Sequence, residues 1–166
     1  MSTLRLPAKA VVTRTYRATL KQVWDLWTTK EGFESWWAPN GFRVDVREID
    51  ARPGGVLRYD MIADTAEKIA AIKAIGLSPI TTNNGRFAEL KPRSRLVLQW
   101  TIDFVPGVDS YETEFAVDLI AEGGSVRMVV ELSGMHRDDF TKMQVDTFIS
   151  LLARLDAWFC ASAARP

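Results

Sequence analysis

The chain has 166 residues, a length typical of one compact domain. Because 47% of its residues are hydrophobic, this domain can bury a sizeable core. Its 21 basic and 21 acidic residues give a formal net charge of zero, which argues against nonspecific binding to nucleic acid or to anionic membranes. The single cysteine, Cys160, excludes an intrachain disulfide and favours a reducing compartment.

Charged residues interrupt every hydrophobic stretch, so no stretch approaches the roughly 20 apolar residues that span a bilayer. Residues 1–7 lack the apolar segment of a secretory signal and are interpreted as a frayed lead-in. We therefore expect one domain, residues 1–166, in a cytoplasmic protein that does not bind membranes.

The N-terminal part of the chain predicts one strand, two short helices and a two-stranded hairpin. Alternating β-branched residues mark the first strand, and apolar residues at spacings of three and four mark the first helix, for which Thr19 is the candidate N-cap. In chain order, these elements are expected at residues 8–16, 21–27, 31–37, 42–49 and 56–62. A Pro-Gly-Gly turn at residues 53–55 joins the last two strands.

A helical insert is predicted at residues 64–76, where helix propensity is high and Asp64 is the candidate N-cap. One side of this helix is apolar and must be buried against another part of the molecule. That side carries Ile69, Ile72 and Ile75. We expect the insert to form a lid over the entrance of a cavity, with Gly76 and residues 81–85 as hinges. Rigid docking on the outside and contact in a homodimer are the alternatives.

The remaining chain predicts an antiparallel meander followed by one long helix. The four strands are expected at residues 85–90, 95–104, 111–120 and 126–132. Their apolar residues alternate, so one face of the sheet is buried and the other is solvated. The helix, predicted at residues 139–161 with Asp138 as its cap, carries a broad apolar stripe that covers the buried face.

Several short motifs occur in the order of a known family. They are Arg14–Ala18, Val23-Trp24 with Trp27, Trp36–Phe42, Arg52–Gly55, Gly85–Phe87 and Arg95–Trp100. With these motifs the chain resembles the START-like (SRPBCC) superfamily, and within it the family named for the activator of a heat-shock-protein ATPase. The insert at residues 64–76 is longer than the corresponding hairpin of that family.

This resemblance implies an α+β helix-grip fold, in which a curved antiparallel sheet wraps around the long C-terminal helix. Relatives bind apolar small molecules between sheet and helix, some catalyse cyclisation or hydration, and the eponymous proteins contact a chaperone. A fold of this kind hosts several functions and does not select one of them.

Candidate catalytic residues are few. His136 is the only histidine, so no His/His or Cys/His metal cluster can be assembled. Its neighbours Asp138 and Asp139 lie at the predicted start of a helix. At such positions a carboxylate caps the helix more often than it orients a general base. Cys160 has no basic partner in the pattern, which favours packing over a nucleophilic role. The sequence therefore predicts no catalytic residue, no metal and no cofactor.

The aromatic residues favour core packing and the lining of a pocket over nucleic-acid stacking, because the chain has no basic stripe. Gln144 falls within the apolar stripe of the last helix, where an amide without a partner is costly. Backbone bonding within the core and bonding to a ligand are equal alternatives for this amide. The candidate ligand-binding residues are Trp37, Tyr59, Trp100, Phe115, Met128 and Gln144.

We therefore expect a domain that binds an apolar or aromatic small molecule between sheet and helix, with no reaction assigned. One alternative is a co-chaperone or stress-response module that uses its outer surface. The second is a cyclase or hydratase-type enzyme, which requires a titratable pair in the cavity. The identified inward positions contain no Asp, Glu or Lys, which weakens this second alternative. A homodimer is one expected assembly, and nucleic acid is not an expected partner.

Overall fold

The computed structural model describes residues 10–102, 107–134 and 138–163, apart from the side chains of residues 138–140, 158 and 160–163. These residues form a seven-stranded sheet and four helices. In chain order the elements are β1 (Ala10–Tyr16), α1 (Leu20–Thr28), α2 (Lys30–Trp36), β2 (Phe42–Ile49), β3 (Val56–Ala63), α3 (Ala66–Ala74), β4 (Ile80–Lys91), β5 (Arg95–Ile102), β6 (Tyr111–Glu122), β7 (Ser125–Leu132) and α4 (Asp138–Ala163).

The sheet has the strand order β1-β7-β6-β5-β4-β3-β2, and every neighbouring pair is antiparallel. The strands from β2 to β7 are therefore a meander, which β1 extends by pairing with β7. The sheet is curved, and α4 packs on its inner face, where the ring of Phe148 lies 5.6 Å from that of Phe115 on β6. The predicted α+β helix-grip fold is confirmed.

The start of α1 follows directly from its sequence. The Thr19 hydroxyl accepts a hydrogen bond from the Gln22 backbone N–H at 3.1 Å, and the Gln22 side chain accepts one from the Thr19 N–H at 2.9 Å. This reciprocal capping box pairs two N–H groups that the helix itself leaves without partners. The predicted N-cap is confirmed. The helix then buries its apolar face, including Val23 and Trp27, against the inner face of the sheet.

Alternation along the central strands predicted the buried face of the sheet. On β5 the side chains of Leu96, Leu98 and Trp100 are buried, as are those of Phe115 and Val117 on β6. Charged and polar side chains occupy the opposite face, because successive residues of a strand point to opposite sides. The inner face of the sheet, together with α1, α2 and α4, encloses one continuous hydrophobic core.

Three predictions around the insert are wrong. β4 begins at Ile80 rather than at residue 85, and residues 81–85 are not a hinge, because they pair with β3 from Met61↔Thr81 to Leu57↔Gly85. The N-cap of α3 is Thr65 rather than Asp64. The Thr65 hydroxyl accepts a hydrogen bond from the Lys68 backbone N–H at 3.2 Å.

The bounds of β5 and of the final helix differ from the predicted ones or reach residues outside the described part. β5 ends at Ile102, and residues 103–106 lie outside the described residues. The final helix starts at Asp138, one residue earlier than predicted, and the side chain of Asp138 lies outside the described part. No helix among the described residues is both long and apolar enough to cross a bilayer.

Candidate functional site

A cavity of about 400 Å³ lies between the inner face of the sheet and α4. Its walls come from the loop after α2, from β3 to β6, and from α4 between Met143 and Leu151. Met143 is 56% exposed, so the cavity opens towards solvent beside the N-terminal half of α4. The site is formed where the helix lies across the curved sheet without filling the space between them.

Five of the residues that line the cavity are aromatic, namely Trp37, Tyr59, Trp100, Phe115 and Phe148. Trp37 stacks on Trp100, with ring centroids 6.0 Å apart and planes at 24°. Tyr59 meets Trp100 edge-on at 5.7 Å, and Phe115 lies 5.9 Å from Trp37. Such offset and edge-to-face arrangements are the favourable ones for aromatic pairs, so the rings fix one another in place.

The only described ionisable group in the cavity wall is the phenol of Tyr59. Burial raises its pKa well above the ordinary value, although a hydrogen bond from Trp37 acts in the opposite direction. The indole Nε1–H of Trp37 donates to the Tyr59 hydroxyl at 2.9 Å. Tyr59 therefore stays neutral over the physiological pH range and keeps its own proton for donation.

A glycine on β4 makes room for the indole of Trp100. Gly85 pairs with Trp100 in the β4–β5 register, and a Cβ at position 85 would lie 2.6 Å from Cε3 and from Cζ3 of that indole. Any other residue at this position would displace the ring.

Two buried polar atoms on residues that line the cavity lack a hydrogen-bond partner within the described part of the chain. They are Nε1 of Trp100, a donor, and Oε1 of Gln144, an acceptor. Trp100 is 7% exposed, and water does not reach either atom. Buried polar groups without a partner are uncommon in proteins, so each one requires an explanation.

The structure brings together five of the six predicted ligand-binding residues, since Trp37, Tyr59, Trp100, Phe115 and Gln144 all line the cavity. Met128 does not. It is fully buried on β7, where its Sδ accepts a hydrogen bond from Trp27 Nε1 at 3.4 Å. Alternation placed it on the correct face of the sheet, but α1 covers that region of the face.

Sequence reasoning missed Thr113, a buried threonine that lines the cavity opposite Trp100 in the β5–β6 register. Its hydroxyl donates to the Ser133 carbonyl at 3.4 Å. The signal was present, because Thr113 is two residues before Phe115 and therefore shares its face of the strand.

The isoleucines of the predicted lid do not line the cavity. Ile69 and Ile72 are half-buried, and Ile75 is 71% exposed instead of buried. None of the described side chains of α3 is buried. In this conformation no residue of α3 lines the cavity, so a lid requires a second position of the helix and stays a prediction.

Within the described residues no group of three or more His, Cys, Asp or Glu side chains is arranged to hold a metal ion. His136 lies outside the described residues, as does the side chain of Cys160.

The sequence model of the family described as "Activator of Hsp90 ATPase homolog 1-like protein" matches residues 17–159. The chain belongs to this family. The match runs from the start of α1 into the last part of α4, and it therefore includes every element that builds the cavity. None of the curated proteins matches the chain.

Solved structures resemble this fold over nearly the whole chain. Protein CV1439 from Chromobacterium violaceum has a TM-score of 0.74 at 19% identity, covering 92% of this chain and 98% of its own. The AHSA1 protein from Silicibacter pomeroyi has a TM-score of 0.72 at 14% identity, covering 93% of this chain and 99% of its own. At these identities the likeness establishes the fold alone.

Proposed function

We propose that this protein binds a neutral apolar or aromatic small molecule in the cavity between the sheet and α4. The observation that carries the proposal is an aromatic wall with no Asp, Glu, Lys, Arg or His among the described residues that line it. Ligand pockets are typically lined by apolar and aromatic side chains with a few placed polar groups.

The size and polarity of the cavity limit the ligand. A cavity of about 400 Å³ falls within the range of small-molecule sites, which is roughly 300–1,000 Å³. It accommodates a bicyclic aromatic molecule. Transfer of a carboxylate or an ammonium group into an uncharged wall is costly, so we expect neutral ligands to be preferred.

A cyclase or hydratase-type reaction is less well supported. General acid–base catalysis is most efficient when the pKa of the catalytic group lies near the operating pH. Tyr59 is the only titratable group among the described lining residues, and burial shifts its pKa away from that range. We therefore propose a binding function without a chemical step.

A co-chaperone role is the alternative for this chain, because the family description names an activator of the Hsp90 ATPase. Exposed apolar side chains of Ile75, Leu77 and Ile80 favour some contact with another protein, because they are grouped in sequence around the end of α3. We place the protein in the cytoplasm, which its single cysteine supports.

The test is a calorimetric titration of naphthalene with the protein in the syringe. We expect saturable binding with one site per chain. Thr147→Trp places a large ring at the cavity wall and is expected to lower the affinity at least tenfold. Ser150→Trp is the matched control, because Ser150 is exposed on the same helix and does not line the cavity.

Absence of saturable naphthalene binding, or an equal loss of affinity in both tryptophan variants, would contradict the proposed site. Binding of a purified chaperone ATPase by a protein that does not bind naphthalene would favour the alternative.

A further inference from the structure

A second groove, of about 610 Å³, lies outside the cavity and shares no lining residue with it. Three connections of the chain meet there. They are the segment from Arg17 to Gln22 at the start of α1, the β4–β5 turn at Arg93, and the β6–β7 turn at Gly123 and Gly124. The proposed function makes no use of this groove.

The charged side chains of this groove are all basic, although the chain as a whole has a net charge of zero. They belong to Arg17, Lys21 and Arg93, and no Asp or Glu is among the described residues that line the groove. Lys21 pairs with Asp25 at 2.6 Å. The guanidinium groups of Arg17 and Arg93 form no ion pair within the described part of the chain. Cations of one sign that line a common groove attract anions to it.

Arg93 occupies a backbone position that favours glycine. Residues 91–94 form a β-turn, in which the Ser94 N–H donates to the Lys91 carbonyl at 3.0 Å. Arg93 has a φ of 60° and is the only residue other than glycine with a positive φ in the described ranges. A proline in second place and a positive φ in third place are typical of a type II turn, whose usual third residue is glycine or asparagine. The turn itself therefore does not select an arginine, which indicates a separate role for its charge.

The β6–β7 turn supplies hydrogen-bond donors between the two arginines. In the sheet, β7 and β6 lie between β1, which leads to Arg17, and β5, which follows Arg93. A Cβ at Gly123 or at Gly124 would meet nothing within 4 Å, so another molecule can approach this backbone closely. The N–H groups of these two glycines donate no hydrogen bond within the described residues. Free backbone N–H groups of a turn bind the oxygen atoms of anions.

The spacing of the strands favours an anion with two charged groups. β1 and β5 are three strand positions apart, which is about 14 Å at the usual distance between neighbouring strands. Arg17 and Arg93 therefore reach the groove from two sides. Guanidinium groups pair with phosphate oxygens through two parallel hydrogen bonds. Two adjoining phosphates span the distance between the arginines more readily than one phosphate does.

We propose that this groove binds the diphosphate group of a small molecule. Arg17 pairs with one phosphate and Arg93 with the other, and the N–H groups of Gly123 and Gly124 donate to the oxygen atoms between the arginines. Because the groove is separate from the cavity, occupation of one leaves the other accessible.

The test is a calorimetric titration of the full chain with inorganic pyrophosphate at low ionic strength, where salt screens exposed charges least. We expect saturable binding with one site per chain, and weaker binding of inorganic phosphate by a factor of about ten. Arg17→Gln and Arg93→Gln are each expected to lower the affinity for pyrophosphate about fivefold, which corresponds to about 1 kcal/mol for an exposed ion pair. Arg43→Gln is the control, because it removes the same charge from an exposed side chain that does not line the groove. Its affinity should stay within twofold.

Arg93→Gly separates binding from folding. Glycine adopts a positive φ without steric cost, so the urea midpoint of this variant should equal or exceed that of the unmodified protein. Its affinity for pyrophosphate should fall as in Arg93→Gln. A lower urea midpoint with unchanged affinity would show that Arg93 serves the turn alone and would overturn the inference.

Three further results overturn it. They are the absence of saturable pyrophosphate binding, equal affinities for pyrophosphate and phosphate, and an equal loss of affinity in Arg43→Gln and the groove variants. Binding to vesicles of anionic phospholipid without binding of pyrophosphate would assign the basic groove to a membrane surface instead. Naphthalene binding is a separate measurement, and its failure would remove the proposed function while leaving this inference standing.

Discussion

The absence of a side chain at position 85 decides where the Trp100 indole lies. Because an added Cβ would lie 2.6 Å from two indole carbons, Gly85→Ala forces the ring to move against Trp37, Tyr59 and Phe115, which already contact it or one another. Overpacking of this kind typically costs about 1–3 kcal/mol. We expect Gly85→Ala to lower the free energy of unfolding by this amount, measured in urea, and to weaken naphthalene binding.

The control for this prediction is Gly124→Ala in the turn between β6 and β7. A Cβ there meets nothing within 4 Å, so stability and binding should stay close to those of the unmodified protein. Equal effects of the two substitutions would show that backbone freedom, rather than the contact with Trp100, explains the glycine at position 85.

At the scale of single residues, the sequence predicted which side chains face the interior but not what covers them. Strand alternation identified Trp100 and Phe115, and the position of Gln144 on the helical stripe placed it in the same space. Alternation does not say which helix lies above a given point of the face. Met128 and Phe115 have the same inward direction on neighbouring strands, yet α1 covers the first and the cavity borders the second.

At the scale of the elements, pairing with a neighbouring strand determined a conformation that local composition did not predict. Residues 81–85, Thr-Thr-Asn-Asn-Gly, have the composition of a turn, and the sequence predicts a hinge there. In the structure their backbone pairs with β3, and Thr82 donates a hydrogen bond to Asp60 at 2.8 Å. Strand propensity depends strongly on context, and an available partner strand outweighs a local preference for a turn.

The insert is an amphipathic helix whose apolar side is only partly buried. Because α3 buries none of its described side chains and borders no part of the cavity, Ile72→Asp is expected to keep cooperative unfolding and to cost less than about 1 kcal/mol. The affinity for naphthalene should stay within twofold. Urea unfolding and calorimetry measure the two quantities.

A larger change in naphthalene affinity on Ile72→Asp would show that α3 does reach the entrance in a second conformation and acts as a lid. A concentration-dependent change of mass in sedimentation, with unchanged affinity, would instead place the isoleucines in a homodimer. Glu67→Asp is the control, since it changes the polar side of the same helix without altering charge.

At the scale of the whole molecule, a cluster of aromatic rings joins the N-terminal helices, the sheet and α4. Phe148 on α4 contacts rings from each of the other parts. Its ring centroid lies 6.4 Å from Trp27 on α1, 6.4 Å from Trp36 on α2 and 5.6 Å from Phe115 on β6. Because Phe148 connects α4 with the N-terminal helices and with the sheet, its loss should lower the stability of the whole domain rather than that of one part.

We expect Phe148→Ala to lower the free energy of unfolding by about 3–5 kcal/mol. Phe148 is 2% exposed, and the rigid rings around it cannot collapse into the cavity that its removal leaves. Ile149→Ala is the matched control on the same helix. Ile149 is 38% exposed, so its truncation should cost less than about 1 kcal/mol.

Phe148 also lines the cavity, so its removal should enlarge the site. Phe148→Ala should therefore bind anthracene, a tricyclic compound, with higher affinity than the unmodified protein does. A loss below 1 kcal/mol in Phe148→Ala, with no gain for anthracene, would mean that α4 closes onto the sheet when the ring is removed. The aromatic cluster would then fill the space between α4 and the sheet without determining the distance between them.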